Sequence, residues 1–399
     1  MYAESGTKSN LQFNYLRFSV QIYNFFLIYA KFFVLLYRVC MICTDLHSCL
    51  SSLLADYSRD QTVLLYDSRV LLEQEFLSLS SLRLALECDE AHKSLTTVQH
   101  IWDFLLEHQI TRRGVMVAVG GGVLTDLAGF AAATYKRGIA YINVPTTLLA
   151  MVDASTGGKT GFNYGGLKNA VGAFYPPVET LIYPPFLATL PPHEFLSGFA
   201  EMLKTGLIES TEYRIQSTDR LWDRLLVYDP DAMPTDTLTP LIAECIAVKE
   251  HIVAADPTEK NLRKALNFGH TFGHALEEMS FVHRTSSLSL PCGEGRGEVP
   301  HGYAVLYGMI AELYLSAVLL DCPREPLQQL TQLMLRYYGR PQCSCSDREQ
   351  LIELMRRDKK NEHASEINCT LLRGIGEPVV NQTITDEEAA EAWDYLFSL

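Results

Sequence analysis

The sequence predicts an α/β protein in which a parallel sheet with flanking helices is followed by an all-helical domain. From residue 41 to about residue 183, short apolar runs alternate with helical segments, as they do in βαβ units. From residue 196 onward, apolar residues recur almost throughout at the spacing of a helix. A chain of 399 residues is long enough for two domains with separate hydrophobic cores.

Three apolar runs are predicted to be strands of the sheet. They are TVLLYD (62 to 67), VMVAV (115 to 119) and AYINVP (140 to 145). The second run leads into Gly120, Gly121 and Gly122, and the helical segment VLTDLAGFAAATY follows. Glycines allow close backbone approach, and unpaired amides at a helix start can face a pyrophosphate. Because the spacing is not GxGxxG, a tight structural turn is an equal alternative to a Rossmann-like nucleotide site.

A proline-rich segment, PPFLATLPPHEF (184 to 195), marks the predicted boundary between the domains. After it come five segments with helical spacing: GFAEMLKTGLIE, LTPLIAECIAVKEHIVAAD, ALNFGHTFGHALEEM, YAVLYGMIAELYLSAVLL and EPLQQLTQLMLRYYG. A loop rich in Ser, Gly and Pro interrupts them at residues 285 to 300. We therefore expect a Rossmann-like domain at residues 41–185 and a helical domain at residues 186–399.

The first forty residues do not match the rest of the chain. Between Phe18 and Val39 they are mostly aromatic and aliphatic, with polar interruptions such as Lys31. A membrane span needs about 20 apolar residues, and a lysine near the bilayer centre is costly. We therefore interpret residues 1–40 as an extension upstream of a functional protein that begins near Met41. A membrane anchor is the alternative.

Composition excludes some classes of function. The formal net charge of −14 argues against binding to a nucleic-acid backbone, because that affinity requires clustered Lys and Arg. Ten cysteines are scattered through a chain too large to need disulfides, which favours reduced thiols and a cytoplasmic location. The lone CxxC at Cys40 and Cys43 has no matching pair and does not predict a structural zinc site. We expect neither a nucleic acid nor a membrane as a partner.

Three segments of the helical half carry candidate ligands of a divalent metal: GFAEMLK (198 to 204), NFGHTFGH (267 to 274) and PHGY (300 to 303). The ligands are Glu201, His270 and His301. Three ligands of mixed nitrogen and oxygen type leave a coordination position open for substrate, as a catalytic zinc site requires. Glu201 and Lys204 lie i,i+3 on one helix face, which a solvated ion pair would also explain. His270 and His274 lie i,i+4, a spacing that often binds one metal with both imidazoles.

Six motifs in collinear order give the chain a resemblance to a known family. They are GGGVLTDLAGFAAATYKRGI, VPTTLLAMVDASTGGKTGFN, LKNAVGAFYPP, FLSGFAEMLKTGLI, LRKALNFGHTFGHALE and HGYAVLYGM. From about Asp67 to Gly376 the chain resembles the 3-dehydroquinate synthases of the shikimate pathway. The sugar-phosphate cyclases and, more distantly, the metal-dependent glycerol dehydrogenases are broader relatives. The resemblance implies a nucleotide-binding domain followed by a metal- and substrate-binding domain, one bound NAD, one zinc or cobalt ion, and a homodimer.

The resemblance also implies the reaction. In this family NAD stays bound while 3-deoxy-D-arabino-heptulosonate 7-phosphate is oxidised, loses phosphate, is reduced, opens and closes into a carbocycle. There is no net redox change, and the substrate's own phosphate is thought to accept the proton that is removed. The protein then has to position a dianion beside a metal-bound alcohol.

Residues of the substrate site follow from the resemblance, position by position. Those that match phosphate contacts are Lys159, Asn169, Asn267, His274 and Lys359. Arg137 matches a residue that reaches the site from a neighbouring subunit. Arg263 matches a partner of the substrate carboxylate, where a guanidinium can bind bidentately. Asp153 and Lys249 match groups that hold the ring hydroxyls, and Lys204 adds a cation beside a metal ligand. A surface charge is the alternative for any one of these residues.

The positions that match cofactor contacts run along a dinucleotide. Asp67 ends a strand, as an acidic residue that hydrogen-bonds the adenosine ribose would. Glu90 and Lys93 match the next ribose and nucleotide contacts. The pyrophosphate and nicotinamide path is matched by Gly121, Gly122, Val123, Asp126, Thr146, Thr147 and Thr189. The two adjacent threonines are equally suited to cap a helix.

Three features depart from the family pattern. Arg69 stands where many relatives have a small polar residue, and its charge would favour tolerance of a 2′-phosphate on the cofactor. Tyr303 replaces a common glutamate, and the 285–300 loop looks inserted. These departures bear on the cofactor and the substrate channel, and they leave the three metal ligands in place.

The sequence disfavours three rival functions. Another sugar-phosphate cyclase is disfavoured because Arg263 and Lys249 supply cations that can bind a substrate carboxylate. A simple metal-dependent alcohol dehydrogenase needs no anion site of the kind predicted here. A nucleotide-binding protein without chemistry would not need the intact metal ligands.

Overall fold

A computed structural model describes residues 40–211, 219–232, 235–282, 299–357 and 366–399. The segment interpreted as an extension or membrane anchor lies outside these residues, apart from Cys40. Between residues 40 and 182 the chain forms strands β1 (Cys40–Ile42), β2 (Thr62–Asp67), β3 (Leu82–Leu86), β4 (Val115–Gly120), β5 (Ala140–Pro145), β6 (Lys159–Tyr164), β7 (Leu167–Phe174) and β8 (Glu179–Ile182). Strands β6 and β7 pair as an antiparallel hairpin, and the other six form one sheet.

The six-stranded sheet is parallel throughout, with the order β1-β8-β5-β4-β2-β3. Every residue of β4 is buried, and Val117 at its centre pairs with Leu64 on one side and Ile142 on the other. A parallel strand buried on both faces is a continuous apolar run, so β2, β4 and β5 were predictable. Their predicted bounds are confirmed, and β4 continues to Gly120. Strands β1, β3 and β8 were not predicted, because runs of three to five residues give little pattern.

Helices cover both faces of this sheet. They are α1 (Leu46–Leu53), α2 (Gln74–Leu77), α3 (Leu95–Glu107) and α4 (Gly122–Thr134). Leu50 of α1 packs in one hydrophobic cluster with Val117, whereas Ile101 of α3 and Leu127 of α4 pack in another with Met116. Neighbouring residues of a strand face opposite sides, so the two clusters lie on opposite faces. The predicted Rossmann-like arrangement is confirmed.

The second half of the chain is mainly helical, as predicted. Its helices are α5 (Pro192–Ile208), α6 (Leu221–Leu226), α7 (Thr235–Ala255), α8 (His270–Val282), α9 (His301–Leu319), α10 (Glu325–Leu333), α11 (Arg348–Arg356) and α12 (Asp386–Ser398). An antiparallel hairpin of β9 (Ile367–Leu372) and β10 (Pro378–Ile384) lies between α11 and α12 in the chain. The sequence did not predict this hairpin, because the partly exposed strand PVVNQTI has no continuous apolar run.

Helix α9 runs through the core of the helical domain. Among the described helices, it alone is long and apolar enough to cross a membrane by composition. However, 78% of its apolar window is buried inside the protein, as in the core helix of a globular domain. The neighbours that bury it include α5, α8 and α12.

Helices α8 and α9 approach each other backbone to backbone. A Cβ atom on Gly308 of α9 would lie 1.9 Å from the carbonyl oxygen of Gly269 and 2.7 Å from the amide nitrogen of Gly273. Gly269, just before α8, has a φ of +80°, which side chains rarely tolerate. Glycine at position 308 therefore sets the distance between the two helices.

We expect Gly308→Ala to destabilise the protein by about 3 kcal/mol or more, because overpacking a core contact forces the backbones apart. The matched control is Gly374→Ala, since a Cβ there would meet no atom closer than 3.8 Å. The control should change the free energy of unfolding by no more than about 0.5 kcal/mol. Chemical denaturation measures both values, and equal stability of the two variants would refute the proposed contact.

Candidate active site

The structure brings Glu201, His270 and His301 together from three helices. Glu201 lies in the middle of α5, and the histidines are the first residues of α8 and α9. One ligand atom from each residue lies within 4.8 Å of the other two. Oε1 of Glu201 is 3.3 Å from Nε2 of His301 and 3.8 Å from Nε2 of His270. The His301 side chain is 30% exposed to solvent, so the cluster is open on that side.

These three side chains fit a divalent metal ion. Both carboxylate oxygens of Glu201 are buried; Oε2 is paired with Lys204, whereas Oε1 has no well-oriented hydrogen bond within the described residues. A buried carboxylate oxygen without such a bond is costly, and a cation between this oxygen and two imidazole nitrogens would satisfy it. Imidazole and carboxylate ligands suit zinc and related transition metals. The donor set therefore matches the predicted zinc or cobalt site.

The second ring nitrogen of each histidine is held by the protein. Nδ1 of His270 lies 3.1 Å from the carbonyl oxygen of Phe268. Nδ1 of His301 lies 3.2 Å from both carboxylate oxygens of Glu277 on α8. Such contacts fix the tautomer and orientation of metal-binding imidazoles. Both Nε2 atoms thereby point towards Oε1 of Glu201.

The sequence analysis did not identify Glu277. A signal was present, because His270, His274 and Glu277 are spaced i, i+4 and i+7 and so share one face of α8. Burial raises the pKa of the Glu277 carboxyl, but His301 outweighs this effect and lowers it well below its usual range. For His301 the directions are reversed: burial lowers the pKa of the imidazole, but Glu277 and Glu201 outweigh this effect and raise the pKa to about 10. Lys168 of β7 also reaches Glu277, at 3.2 Å.

Two buried lysines stand beside the metal cluster, each paired with a carboxylate. Lys204, one turn after Glu201 on α5, forms an ion pair with Oε2 of that glutamate. Nζ of Lys249 on α7 lies 2.6 Å from Oδ1 of Asp153, in the π-helical turn at residues 150–154. Burial raises the pKa of Asp153, but Lys249 and Lys204 outweigh it and hold the carboxyl ionised. The alternative of a solvated ion pair at Glu201 and Lys204 is excluded, because both side chains are at least 98% buried.

The predicted phosphate contacts Lys159 and Asn267 meet around a carboxylate that the sequence analysis missed. Glu259 forms an ion pair with Lys159 and accepts a hydrogen bond from Nδ2 of Asn267 at 2.9 Å. Its backbone φ of +59° shows that the chain turns sharply there. Arg263 is buried nearby and donates to the carbonyl oxygens of Pro257 and Gly157. A negative group of this chain thus sits where the phosphate was expected.

Asn163, another residue that was not predicted, links the two halves of the site. Its Nδ2 donates to Oε1 of Glu90 at 2.7 Å, and its Oδ1 accepts from the backbone amide of Asn169 at 2.8 Å. Asn169 has a φ of +50° in β7. The amide of Asn163 therefore connects a predicted ribose contact with a predicted phosphate contact.

The remaining predicted substrate residues are placed as follows. The His274 ring lies one turn along α8 from His270, with centroids 5.3 Å apart. Arg137 is exposed in the turn after α4, with a φ of +68°, and within the described residues it makes no hydrogen bond or ion pair to the metal cluster. Lys359 lies outside the described residues, as do positions 285–298 of the loop. Tyr303 is buried against Tyr338, and so its ring belongs to the helical core.

The predicted cofactor residues gather at the carboxyl ends of β2, β4 and β5. Gly121 precedes α4, and Gly122 and Val123 are its first residues. In the next turn, Asp126 accepts a hydrogen bond from Nζ of the buried Lys93 at 2.6 Å. Ligands of open α/β sheets bind at this edge.

Three further cofactor candidates lie after β5 or near the domain boundary. Thr146 donates its backbone amide to the carbonyl of Gly120. Thr147 accepts from the amide of Ala150 through Oγ1 at 3.2 Å, so the capping alternative describes its contact in this structure. Thr189 is exposed and donates its hydroxyl to the carbonyl of Phe186.

Comparison with known proteins agrees with the geometry. The sequence model of the 3-dehydroquinate synthase N-terminal domain matches residues 83–197, and that of the C-terminal domain matches residues 198–361. A 3-dehydroquinate synthase from Parabacteroides distasonis is 41% identical over 361 residues, which are 89% of this chain and 96% of that protein.

Solved structures show the same fold. A 2-epi-5-epi-valiolone synthase from Streptomyces hygroscopicus subsp. jinggangensis, solved with NAD+ and Zn2+, is 25% identical with a TM-score of 0.73, covering 90% of this chain and 96% of that one. A 2-deoxy-scyllo-inosose synthase complexed with carbaglucose-6-phosphate, NAD+ and Co2+ is 25% identical with a TM-score of 0.70, covering 88% and 95%. Since the family models together span most of the sequence and a named relative matches nearly its whole length, the chain belongs to the 3-dehydroquinate synthase family.

Proposed function

We propose that this chain is a carbon–oxygen lyase that converts 3-deoxy-D-arabino-heptulosonate 7-phosphate to 3-dehydroquinate and phosphate in the shikimate pathway. The observation that carries the proposal is the convergence of Glu201, His270 and His301 beside two buried lysines. Membership of the 3-dehydroquinate synthase family supports it. The same geometry supports a reaction in which an alcohol is oxidised for a short time and restored.

Glu201, His270 and His301 would hold a zinc or cobalt ion. When bound, this ion supplies a Lewis acid that lowers the pKa of a coordinated substrate hydroxyl. Asp153 and Lys249, paired at 2.6 Å, would hold the ring hydroxyls next to it. Lys204 keeps Glu201 charged and oriented, since their ion pair is shielded from water.

The phosphate would be bound by Lys159, Asn169, Asn267, His274 and Lys359. At Lys159 and Asn267 it would replace the carboxylate of Glu259. Arg263 would bind the substrate carboxylate, because its guanidinium is already fixed by two backbone carbonyls. These groups position a dianion rather than remove a proton from it.

NAD would occupy the edge of the sheet and supply a hydride acceptor, with no net redox change. Asp67, Glu90 and Lys93 would hold its adenosine end. The start of α4 and the segment after β5 would hold the pyrophosphate and nicotinamide through Gly121, Gly122, Val123, Asp126, Thr146, Thr147 and Thr189. The first amides of a helix have no partner within that helix, so the start of α4 suits a pyrophosphate.

We further propose a cytoplasmic homodimer in which Arg137 reaches the neighbouring subunit's site. The exposure of Arg137 at the end of α4 supports this role. We propose that residues 41–185 bind NAD, that residues 186–399 bind metal and substrate, and that the residues before Cys40 precede the functional protein, since Cys40 of β1 already pairs with Thr180. Neither a nucleic acid nor a membrane is a proposed partner.

With NAD and either zinc or cobalt, purified protein should release phosphate and form dehydroquinate from the heptulosonate phosphate. NADH should not accumulate, because the hydride is returned in each turnover. Phosphate release, a dehydroquinate end-point assay and NADH absorbance measure the three quantities. Steady accumulation of NADH with glycerol, and no phosphate release, would instead identify a dehydrogenase.

His270→Ala should lower metal affinity by more than about a hundredfold and abolish turnover, since loss of a ligand exceeds the usual effect of its supporting contacts. The sheet should remain folded, as seen by circular dichroism. The matched control is His100→Ala, an exposed position on α3, which should bind metal as the unchanged protein does. An active His270→Ala protein with normal metal content would refute the ligand assignment.

Glu277→Gln should lower metal affinity by about 10- to 100-fold, because the neutral amide no longer orients and polarises the His301 ring. Competition with a chelating dye measures the affinity, and thermal unfolding checks that the fold is intact. Glu107→Gln on the exposed end of α3 is the matched control. An unchanged affinity in Glu277→Gln would show that the contact at 3.2 Å has no effect on the ligand.

A further inference from the structure

Asp67 at the end of β2 is paired with an arginine of its own loop. Oδ1 of Asp67 accepts hydrogen bonds from the backbone amide and from Nε of Arg69, each at 3.0 Å. Oδ2 accepts from Nη2 of Arg69 at 2.7 Å. The guanidinium therefore binds the carboxylate through two parallel bonds, the strong geometry for this pair.

The two partners differ in exposure. The Asp67 side chain is 6% exposed, whereas that of Arg69 is 65% exposed. Nη2 also donates to the carbonyl of Cys88 at 3.0 Å. Nη1 makes no hydrogen bond to any part of the chain that the structure describes, so its two N–H groups face outward.

This pair contains both kinds of side chain by which proteins distinguish NAD from NADP. An acidic residue in this region hydrogen-bonds the 2′-hydroxyl of NAD, and a nearby arginine accommodates the 2′-phosphate of NADP. A carboxylate alone repels that phosphate. Here the charge of Asp67 is balanced at hydrogen-bond distance, and Oδ2 still has a lone pair for a ribose hydroxyl.

We propose that the adenosine end of this site accepts NADP as well as NAD, and that Arg69 is the residue that determines this tolerance. The 2′-phosphate binds the outward N–H groups of Arg69, while the ribose of NAD binds Asp67. This inference rests on the proposed function, which assigns the adenosine end to Asp67. Glu194 lies close enough to act on the charge of Arg69 and opposes a second negative group, so NADP binds less tightly than NAD.

Nucleotide binding to the full-length protein tests the proposal without turnover. Isothermal titration calorimetry gives the Kd for NAD, NADP, AMP and adenosine 2′,5′-bisphosphate. Comparison of AMP with the bisphosphate measures the effect of the 2′-phosphate on binding at the adenosine end alone. We expect the Kd values of NADP and NAD to lie within about tenfold of each other. A higher salt concentration should weaken the binding of NADP more than the binding of NAD, because the additional contact is between charged groups.

Arg69→Asn should raise the Kd of NADP and of the bisphosphate by more than about tenfold, because a charge-assisted contact is lost. The Kd values of NAD and AMP should change by less than about threefold. Arg69→Lys should restore part of the NADP affinity, since it keeps the charge without the planar fork. Arg113→Asn is the matched control, because this exposed arginine precedes β4 at the opposite edge of the sheet.

Two results would overturn the proposal while leaving the function intact. One is a preference of the unchanged protein for NAD over NADP of more than about tenfold. The other is an equal loss of both nucleotides in Arg69→Asn, which a purely structural role would give. If neither dinucleotide binds the unchanged protein, the proposed function fails as well.

Discussion

The buried carboxylate of Glu201 is the constraint on which the helical domain depends. A charge removed from water is tolerated only where opposite charge and hydrogen bonds surround it. The structure supplies these in sequence, because Lys204 and His301 approach Glu201, and Glu277 in turn balances His301. Positive and negative side chains therefore alternate in a series through this buried region. The ion pair of Asp153 and Lys249 lies at its end. A divalent ion held by Glu201, His270 and His301 would complete this series.

The series requires the starts of two helices to be fixed in space. Gly308 allows α9 to lie directly on the turn that precedes α8. One helical turn further along α9, the fully buried Glu312 accepts hydrogen bonds from the amides of Gly269 and Thr271, at 2.6 and 3.3 Å. A carboxylate at a helix start is favoured by the helix dipole and satisfies amides that have no partner within the helix. The turn that carries His270 is therefore held at two positions by α9, which itself begins with His301.

Features with a local signal were predictable from the sequence, and features defined by a partner were not. Strands β2, β4 and β5 are continuous apolar runs, and the metal ligands stand in dense motifs. The hairpin of β9 and β10 escaped prediction because a half-exposed strand needs its neighbour to be recognised. Glu259 and Asn163 have no motif of their own, since their roles arise from contacts across 100 and 73 residues of chain, respectively. The spacing of Glu277 was visible, but its partner His301 lies in another segment.

The charged groups of the described site largely pair with one another, and in the proposed function this bears on which substrates are accepted. Glu259 holds Lys159 and Asn267, and Asp153 holds Lys249. A neutral alcohol that displaced Glu259 would remove the counter-charge of Lys159, whose side chain is half exposed, and would supply no negative charge in exchange. In the proposed function, a phosphate dianion would restore the balance, with more charge and more acceptor oxygens than the carboxylate it replaces. The carboxylate of Glu259 would thereby discriminate against unphosphorylated alcohols, which lack the group needed to take its place.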